Sequence, residues 1–247
     1  IMMGRGNGKN GFISAIAWYL TTHYHGVQEY NIDIVANSEK QAKTSFNDVY
    51  KMLERTWNKS KRFFYKTKEE ITNLKTQSYI RFNTSNPDTK DGGRPGCLIF
   101  DEIHGYDTDK IIRVFSSGFG KIIHSRTFFI TTNGHVRGGV LDEEIKISEG
   151  ILSGEILNSR ILPLLYRLDK KEEYKNKKMW NKANPSLRFS PILQSEMNDE
   201  FLEMSYKPTV AIEFMTKRMN LPAQETYTAV AEWEKILATN QPIPSNL

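Results

Sequence analysis

The stretch Met3-Gly4-Arg5-Gly6-Asn7-Gly8-Lys9-Asn10 constrains this chain more than any other. Three glycines alternate with polar residues, and a helical pattern follows at once. From Asn10 to about His23, Phe12, Ile13, Ile16, Ala17 and Leu20 share one apolar face. A glycine-rich turn opening a helix reads as a phosphate-binding loop of the form G-x-x-x-x-G-K-[ST]. Here Met3 replaces the first glycine and Asn10 the hydroxyl residue. Gly4, Gly6 and Gly8 allow positive φ, so successive N–H groups can converge on phosphate oxygens. The positive end of the helix faces the same anion, and Lys9 adds a full charge near the β- and γ-phosphates. A plain strand-to-helix turn is the competing reading. Gly6-Asn7-Gly8-Lys9-Asn10-Gly11 also fits G-x-G-x-x-G. That fingerprint needs an acidic residue ending the second strand, and the candidate strand Ile32–Ala36 runs into Asn37.

A second feature lies downstream. Cys97–Phe100 is a short apolar run, the pattern of a buried parallel strand, and it ends in Asp101-Glu102. Beside a phosphate loop, Asp101 can hold the shell of a Mg²⁺ ion and Glu102 can orient and polarise an attacking water. Without the loop, the same pair reads as a strand ending in solvated acids. A further strand, Arg126–Ile130, ends in Thr131-Thr132-Asn133-Gly134. Small hydroxyl and amide groups there are placed to sense a γ-phosphate.

The 247 residues are 38% hydrophobic and 26% charged, an ordinary globular composition with length for a large core. The single cysteine, Cys97, has no internal disulfide partner, which points to a reducing compartment. No apolar run approaches a membrane span, and no signal peptide is evident. The net charge of +5 suits a polyanionic partner without requiring one. Basic residues gather at Lys59, Lys61, Arg62, Lys66 and Lys68, among Trp57, Phe63, Phe64 and Tyr65. A second group runs from Lys170 to Lys178 beside Tyr174 and Trp180. Both suit a nucleic-acid backbone, though a solvated helix face explains either alone.

Strands and helices alternate, which predicts a three-layer α/β domain with a mostly parallel sheet. Ser38 is expected to cap a helix running to Trp57, with Ala42, Phe46, Val49 and Leu53 on its apolar face. Residues 70–85 read as extended, with hairpin potential, and 86–96 as a turn-rich loop. Helices are expected over 109–119 and 140–153, and a strand over Arg160–Tyr166. The character changes near Asp169, after which the chain is charged, aromatic and mainly helical. Asn184-Pro185 and Ser190-Pro191 interrupt it, and helices are expected over 194–206 and 209–219. The boundaries read as a core at 1–168, a smaller unit at 169–232 and a linker at 233–247. Ile1-Met2-Met3 reads as falling inside the first strand, so the sequence is expected to lack an amino-terminal portion.

Several motifs occur in a particular order. They are the glycine-rich loop, Ser38-Glu39-Lys40-Gln41-Ala42, Leu98-Ile99-Phe100-Asp101-Glu102-Ile103-His104 and Thr131-Thr132-Asn133-Gly134. Trp180-Asn181-Lys182-Ala183-Asn184-Pro185-Ser186 and Phe214-x-x-x-Arg218-Met219-Asn220 follow. Together, over nearly the whole chain, they resemble the large terminase subunit of tailed bacteriophages, in the branch typified by phage HK97. The resemblance implies an additional-strand, RecA-like P-loop ATPase core with a lid or linker subdomain. It implies a motor that binds ATP and Mg²⁺ and drives double-stranded viral DNA into a capsid. It further implies a homo-oligomeric ring, commonly pentameric, docked on the portal protein in the host bacterial cytoplasm, with a small terminase subunit as partner. By position, Gly4, Gly6, Asn7, Gly8, Lys9 and Asn10 match the phosphate loop, and Arg5 matches its γ-phosphate arginine. Asp101 and Asn10 match the metal positions, Glu102 the catalytic acid, and Thr131, Thr132, Asn133 and Gly134 the coupling motif.

Three departures qualify it. Asn10 stands where Ser or Thr is usual, although an amide oxygen also ligates Mg²⁺. The family's nuclease acids would lie beyond Leu247, so nuclease activity is not expected of this chain, and the amino-terminal segment that usually contacts adenine is expected to be missing. A ring places an arginine from one subunit at its neighbour's γ-phosphate. Arg94 is the candidate by position, with a turn residue paired to Asp88 or Asp91 as the equal alternative; Arg126 and Arg137 are others. His104 is read as supporting the loop, and His23 and His25 as surface residues. Two rival readings stay open. One is a helicase of the DExH type, although the residues after Asp169 are too few for a second RecA-like domain. The other is a nucleotide-binding ring component that does not hydrolyse ATP.

Overall fold

A computed structural model describes residues 1–84 and 94–222. The expected linker at 233–247 and most of the loop at 86–96 lie outside the described residues. Six strands form one sheet: β1 (Asn31–Ala36), β2 (Phe64–Lys66), β3 (Glu70–Asn73), β4 (Tyr79–Thr84), β5 (Pro95–Asp101) and β6 (Arg126–Ile130). Their spatial order is β2-β3-β4-β1-β5-β6. β4, β1, β5 and β6 run parallel, while β2 and β3 add an antiparallel edge. β5 is buried along its whole length, as a continuous apolar run demands of a central parallel strand.

The alternation of side chains builds three layers. Ile32 and Ile34 of β1 and Cys97 and Ile99 of β5 point to one face. There they meet Ile13, Ala17 and Leu20 of α1 (Lys9–Thr21) and Phe46, Val49 and Leu53 of α2 (Glu39–Arg55). Val35, Leu98 and Phe100 point to the other face. They meet Phe115 of α4 (Lys110–Ser116) and Val140 and Leu141 of α5 (Val140–Ser153). Between α2 and β2 lies the one-turn α3 (Trp57–Ser60). Ser38 caps α2 as expected, its hydroxyl accepting from Gln41 N–H at 3.3 Å.

Ile1–Met3 extends the sheet beyond β6. Met2 bridges Thr131 on one side and Leu165 on the other, both in parallel. The segment leading into the glycine-rich loop is therefore separated from β5 by β6, the additional-strand arrangement. The strand expected over Arg160–Tyr166 is not formed. Only the bridge at Leu165 survives, and Pro163 removes a donor from the middle of the run.

From Leu168 onward a third apolar cluster forms around Trp180, Leu187, Leu193, Met197, Phe214 and Met219. It is built from three short 3₁₀ turns, α6 (Pro191–Glu203), α7 (Pro208–Glu213) and a π-turn over Phe214–Arg218. Ser190-Pro191 does not interrupt this unit but starts α6. Ser190 caps it by accepting from Leu193 N–H, and Pro191 takes the first turn, where its missing N–H costs nothing. The helix expected over 209–219 keeps its place but widens after Glu213 into the π-turn. No helix among the described residues is long and apolar enough to cross a membrane.

A candidate nucleotide site at the strand ends

The glycine-rich loop, the end of β5 and the end of β6 meet at the carboxyl edge of the sheet. Gly6 and Gly8 take positive φ, 86° and 79°, and Gly8 is the residue from which α1 starts. No side chain caps that helix, so its first N–H groups are left for an anion. Lys9 is buried and folds back on the loop, with Nζ 2.9 Å from Met3 O and 3.4 Å from Gly4 O. Burial pushes its pKa down to about 8, outweighing the pull of Glu102 and Asp101 in the other direction.

Asp101 ends β5 at 2% exposure. Burial, and then the neighbouring charge of Glu102, push its pKa up to about 7. Its Oδ2 lies 3.4 Å from Asn10 Nδ2, a long contact. Its Oδ1 is buried with no well-formed hydrogen bond among the described residues. Such an orphaned acceptor costs a few kcal/mol, roughly 1–3, unless a ligand takes it. Glu102 adopts the left-handed region at φ 55° and ψ 48°, a strained conformation for a residue with a Cβ. Burial alone would raise its pKa. The hydrogen bond from His104 and the charges of Lys9 and Lys217 outweigh that and hold the carboxyl below its ordinary value.

The donor set suits Mg²⁺, which usually takes one or two protein groups and completes its shell with phosphate and water. Asp101 Oδ1 and the amide of Asn10 provide those groups on adjacent elements. No cluster of three or more His, Cys, Asp or Glu able to hold a metal alone occurs among the described residues.

The smaller unit closes over this edge through polar contacts. Gly4 N–H donates to Ala183 O at 2.9 Å and Arg5 N–H to Lys217 O at 2.7 Å. The first half of the loop is thus tied to the second unit, and the half from Gly6 onward remains for phosphate. Asn7 Nδ2 donates to Asn184 Oδ1 at 2.7 Å, and Ser186 N–H and Oγ donate to Asn7 Oδ1 and O. Arg218 is buried, donates to Arg5 O at 2.8 Å, and forms a two-point pair with Glu200 at 2.9 and 2.7 Å. A Cβ on Gly4 would lie 2.2 Å from Asn184 Oδ1 and 2.6 Å from Arg218 O, so only glycine allows this approach.

The Thr131–Gly134 segment is clamped in the same way. Asn133 N–H donates to Asn220 Oδ1 at 2.9 Å, and Asn133 Nδ2 to Asn220 O at 3.1 Å. Asn220 in turn donates to Tyr166 O. Thr131, Thr132 and Asn133 are all buried.

The model of the family described as the terminase large subunit ATPase domain matches residues 1–150. The chain belongs to that family. It is 29% identical over 236 residues to the terminase large subunit of Lactococcus phage p2 and 27% identical over 234 residues to that of Lactococcus phage SK1. Each match spans 91% of this chain but 42% of the relative, so the chain covers under half the length of those proteins. The crystal structure of the HK97 bacteriophage large terminase superposes with a TM-score of 0.77 at 22% identity. It covers 90% of this chain and 46% of that one, and shows the shared fold.

In this terminase ATPase domain, the residues singled out in the sequence do not all converge. Gly6, Gly8, Lys9, Asn10, Asp101 and Glu102 meet at one edge. Asn7 belongs to the loop, but its side chain faces the second unit. Arg5 turns outward to Glu213, 3.1 Å away in an exposed pair. Arg94 is exposed at the amino end of β5, about 20 Å from Asp101 at ~3.3 Å per strand residue. Its proposed partners Asp88 and Asp91 lie outside the described residues. Arg126 is engaged by His25, Tyr30 and His124, and Arg137 by Asp142 and Asn133. His25 is not a free surface group: its ring packs edge-on against Tyr30, with centroids 4.3 Å apart. Sequence reasoning assigned no role to Asn184, Lys217, Arg218 or Asn220. Their signal was present, since three of the four lie in the shared motifs outside the core.

Proposed function

We propose that this chain is the ATP-hydrolysing part of a DNA-packaging motor. One observation carries the reading. A strained, ionised Glu102 and a buried Asp101 with an unpartnered oxygen stand beside Lys9 at the open end of a helix. An ATPase needs that set, and a passive nucleotide binder has no use for the acidic pair.

The phosphates of ATP would lie on the N–H groups from Gly6 to Asn10, with Lys9 moving from the loop carbonyls onto them. Asp101 and Asn10 would hold Mg²⁺, which supplies charge neutralisation at the phosphates. Glu102 orients the attacking water, and Lys9 and Arg5 stabilise the charge that develops. Arg5 must first leave Glu213. An exposed ion pair contributes under about 1 kcal/mol, so the release is easy. Arg94 would serve a neighbour's site rather than its own, in a ring that is pentameric by family resemblance. Thr131–Gly134 would pass the change at the γ-phosphate to the unit at 169–232 through Asn133 and Asn220. Contact with double-stranded DNA would be to phosphates, hence independent of sequence and weakened by salt. The portal protein and a small terminase subunit complete the assembly in the host cytoplasm.

The test is steady-state ATP hydrolysis against protein concentration, for wild type and Glu102→Gln. The reading expects Glu102→Gln to lower turnover by roughly 10²–10⁴-fold while nucleotide binding persists. It expects wild-type turnover to rise faster than linearly with concentration. A linear rise would remove the arginine in trans. Nucleotide binding without hydrolysis by the wild type would favour a non-catalytic ring component.

A further inference from the structure

His104 stands between Glu102 and the second unit. Its Nδ1 lies 2.8 Å from Glu102 Oε2 and 3.0 Å from Thr131 Oγ1. Its Nε2 lies 2.8 Å from Nζ of Lys217, and the same Nζ donates to Asn133 O at 3.0 Å. The lysine has only hydrogens to offer here, so Nε2 accepts. The ring hydrogen is then on Nδ1, directed at the carboxylate. Thr131 cannot supply that hydrogen, because its hydroxyl donates to Thr132 O at 2.6 Å.

Lys217 reaches this point because of the π-turn. The wide turn, closed by Met219 N–H on Phe214 O, buries Thr216, Lys217 and Arg218 in succession. π-turns of this kind recur at functional positions. Arg218 grips the phosphate loop, while Lys217 grips the histidine that holds the acid. One turn of the second unit thus touches both halves of the site.

We propose that Lys217 is a positioning residue that acts through His104. While Lys217 sits on Nε2, the imidazole is locked with its Nδ1 hydrogen holding Glu102 Oε2, which leaves Oε1 aimed for water. When the second unit moves away, the lock opens and Glu102 loses its orientation. Hydrolysis is then gated by the placement of the second unit through the Lys217 contact, distinct from the Arg218 contact with the phosphate loop. The inference rests on Glu102 being the hydrolytic acid.

The experiment has two readouts on the 247-residue chain. Long-range ¹H–¹⁵N spectra of the imidazoles report the His104 tautomer without turnover. The wild type is expected to show the Nδ1–H form and Lys217→Met to lose it. An Nε2–H form in the wild type, or an unchanged Nδ1–H form in Lys217→Met, would overturn the proposal. In the second readout, Lys217→Met is expected to lower kcat by about 10- to 100-fold, the scale of a small misplacement of a reacting group, with KM unchanged. Lys217→Met in a His104→Ala background is expected to add no further loss. Equal losses in both backgrounds, a raised kcat, or a loss confined to KM would also overturn it. A wild type that hydrolyses nothing would instead defeat the functional reading, and the tautomer would still decide the lock.

Discussion

Asp101 and Asn133 stand at the carboxyl ends of neighbouring parallel strands, and their bonding is opposite. Asp101 is buried with one oxygen unpartnered and the other in a long contact to Asn10. Asn133 is equally buried, yet its N–H, Nδ2, Oδ1 and O are all engaged, by Asn220, Gly134, Arg137 and Lys217. A buried polar group without a partner costs stability, and a saturated network makes the structure around it rigid. The first arrangement suits a position that a ligand completes. The second suits a contact that holds the two units together. The same edge of the sheet therefore divides into a deficient half, left open for a ligand, and a saturated half, closed by the second unit.

Breaking the saturated half should cost most. Arg218→Ala removes the link to Arg5 O and leaves Glu200 without its buried partner. Each charge-assisted bond lost is worth about 1.5–3 kcal/mol, and since Glu200 keeps some contact with solvent the loss stays near that scale, readable as a lower denaturant midpoint. Asn133→Ala comes next. It strips the Asn220 carbonyl of its donor while sparing the backbone bond, at about 1–3 kcal/mol. A loss for Asn133→Ala equal to that of an exposed substitution would show that the joint is not saturated in solution.

The deficient half should show itself as a pH slope. The Asp101 pKa is raised from the ordinary 3.8 to about 7 in the folded chain. Between those values the folded state keeps a proton that the unfolded state has lost. Stability from this group is therefore fully present below about pH 4 and is lost as pH rises toward 7. The lowered pKa of Glu102 works in the opposite direction at lower pH, so the slope is best read as wild type minus Asp101→Asn. No difference between the two across pH 4–7 would contradict the buried, unpartnered carboxyl.

Much of the deficient half was legible in the sequence. Cys97–Phe100 carries the pattern of a buried parallel strand, which sets the acids that follow it at the sheet edge. Periodicity likewise placed α1 and α2 and their apolar faces. The saturated half was not legible in the same way. Its bonds join Asn7 to Asn184 and Asn133 to Asn220, and amide pairs so far apart in the chain leave no periodic trace. Shared motifs marked Asn184, Arg218 and Asn220 as present but could not say what they hold. Lys217 fell inside the unspecified positions of its motif, and only the π-turn brings it inward. The failed strand at Arg160–Tyr166 is the reverse case: the apolar pattern suggested pairing that Pro163 prevents.

The contrast between the two halves is tested most directly by thermal unfolding of Asp101→Asn, with and without a non-hydrolysable ATP analogue and Mg²⁺. The substitution removes a buried charge, so the free chain is expected to melt at or above the wild type near pH 7. In the wild type, saturating ligand at about 100 times its Kd should add roughly 2.7 kcal/mol, or about 5–10 °C for a domain of this size. Asp101→Asn should lose most of that gain. A free variant that melts well below the wild type, yet keeps the full ligand-induced rise, would contradict the account.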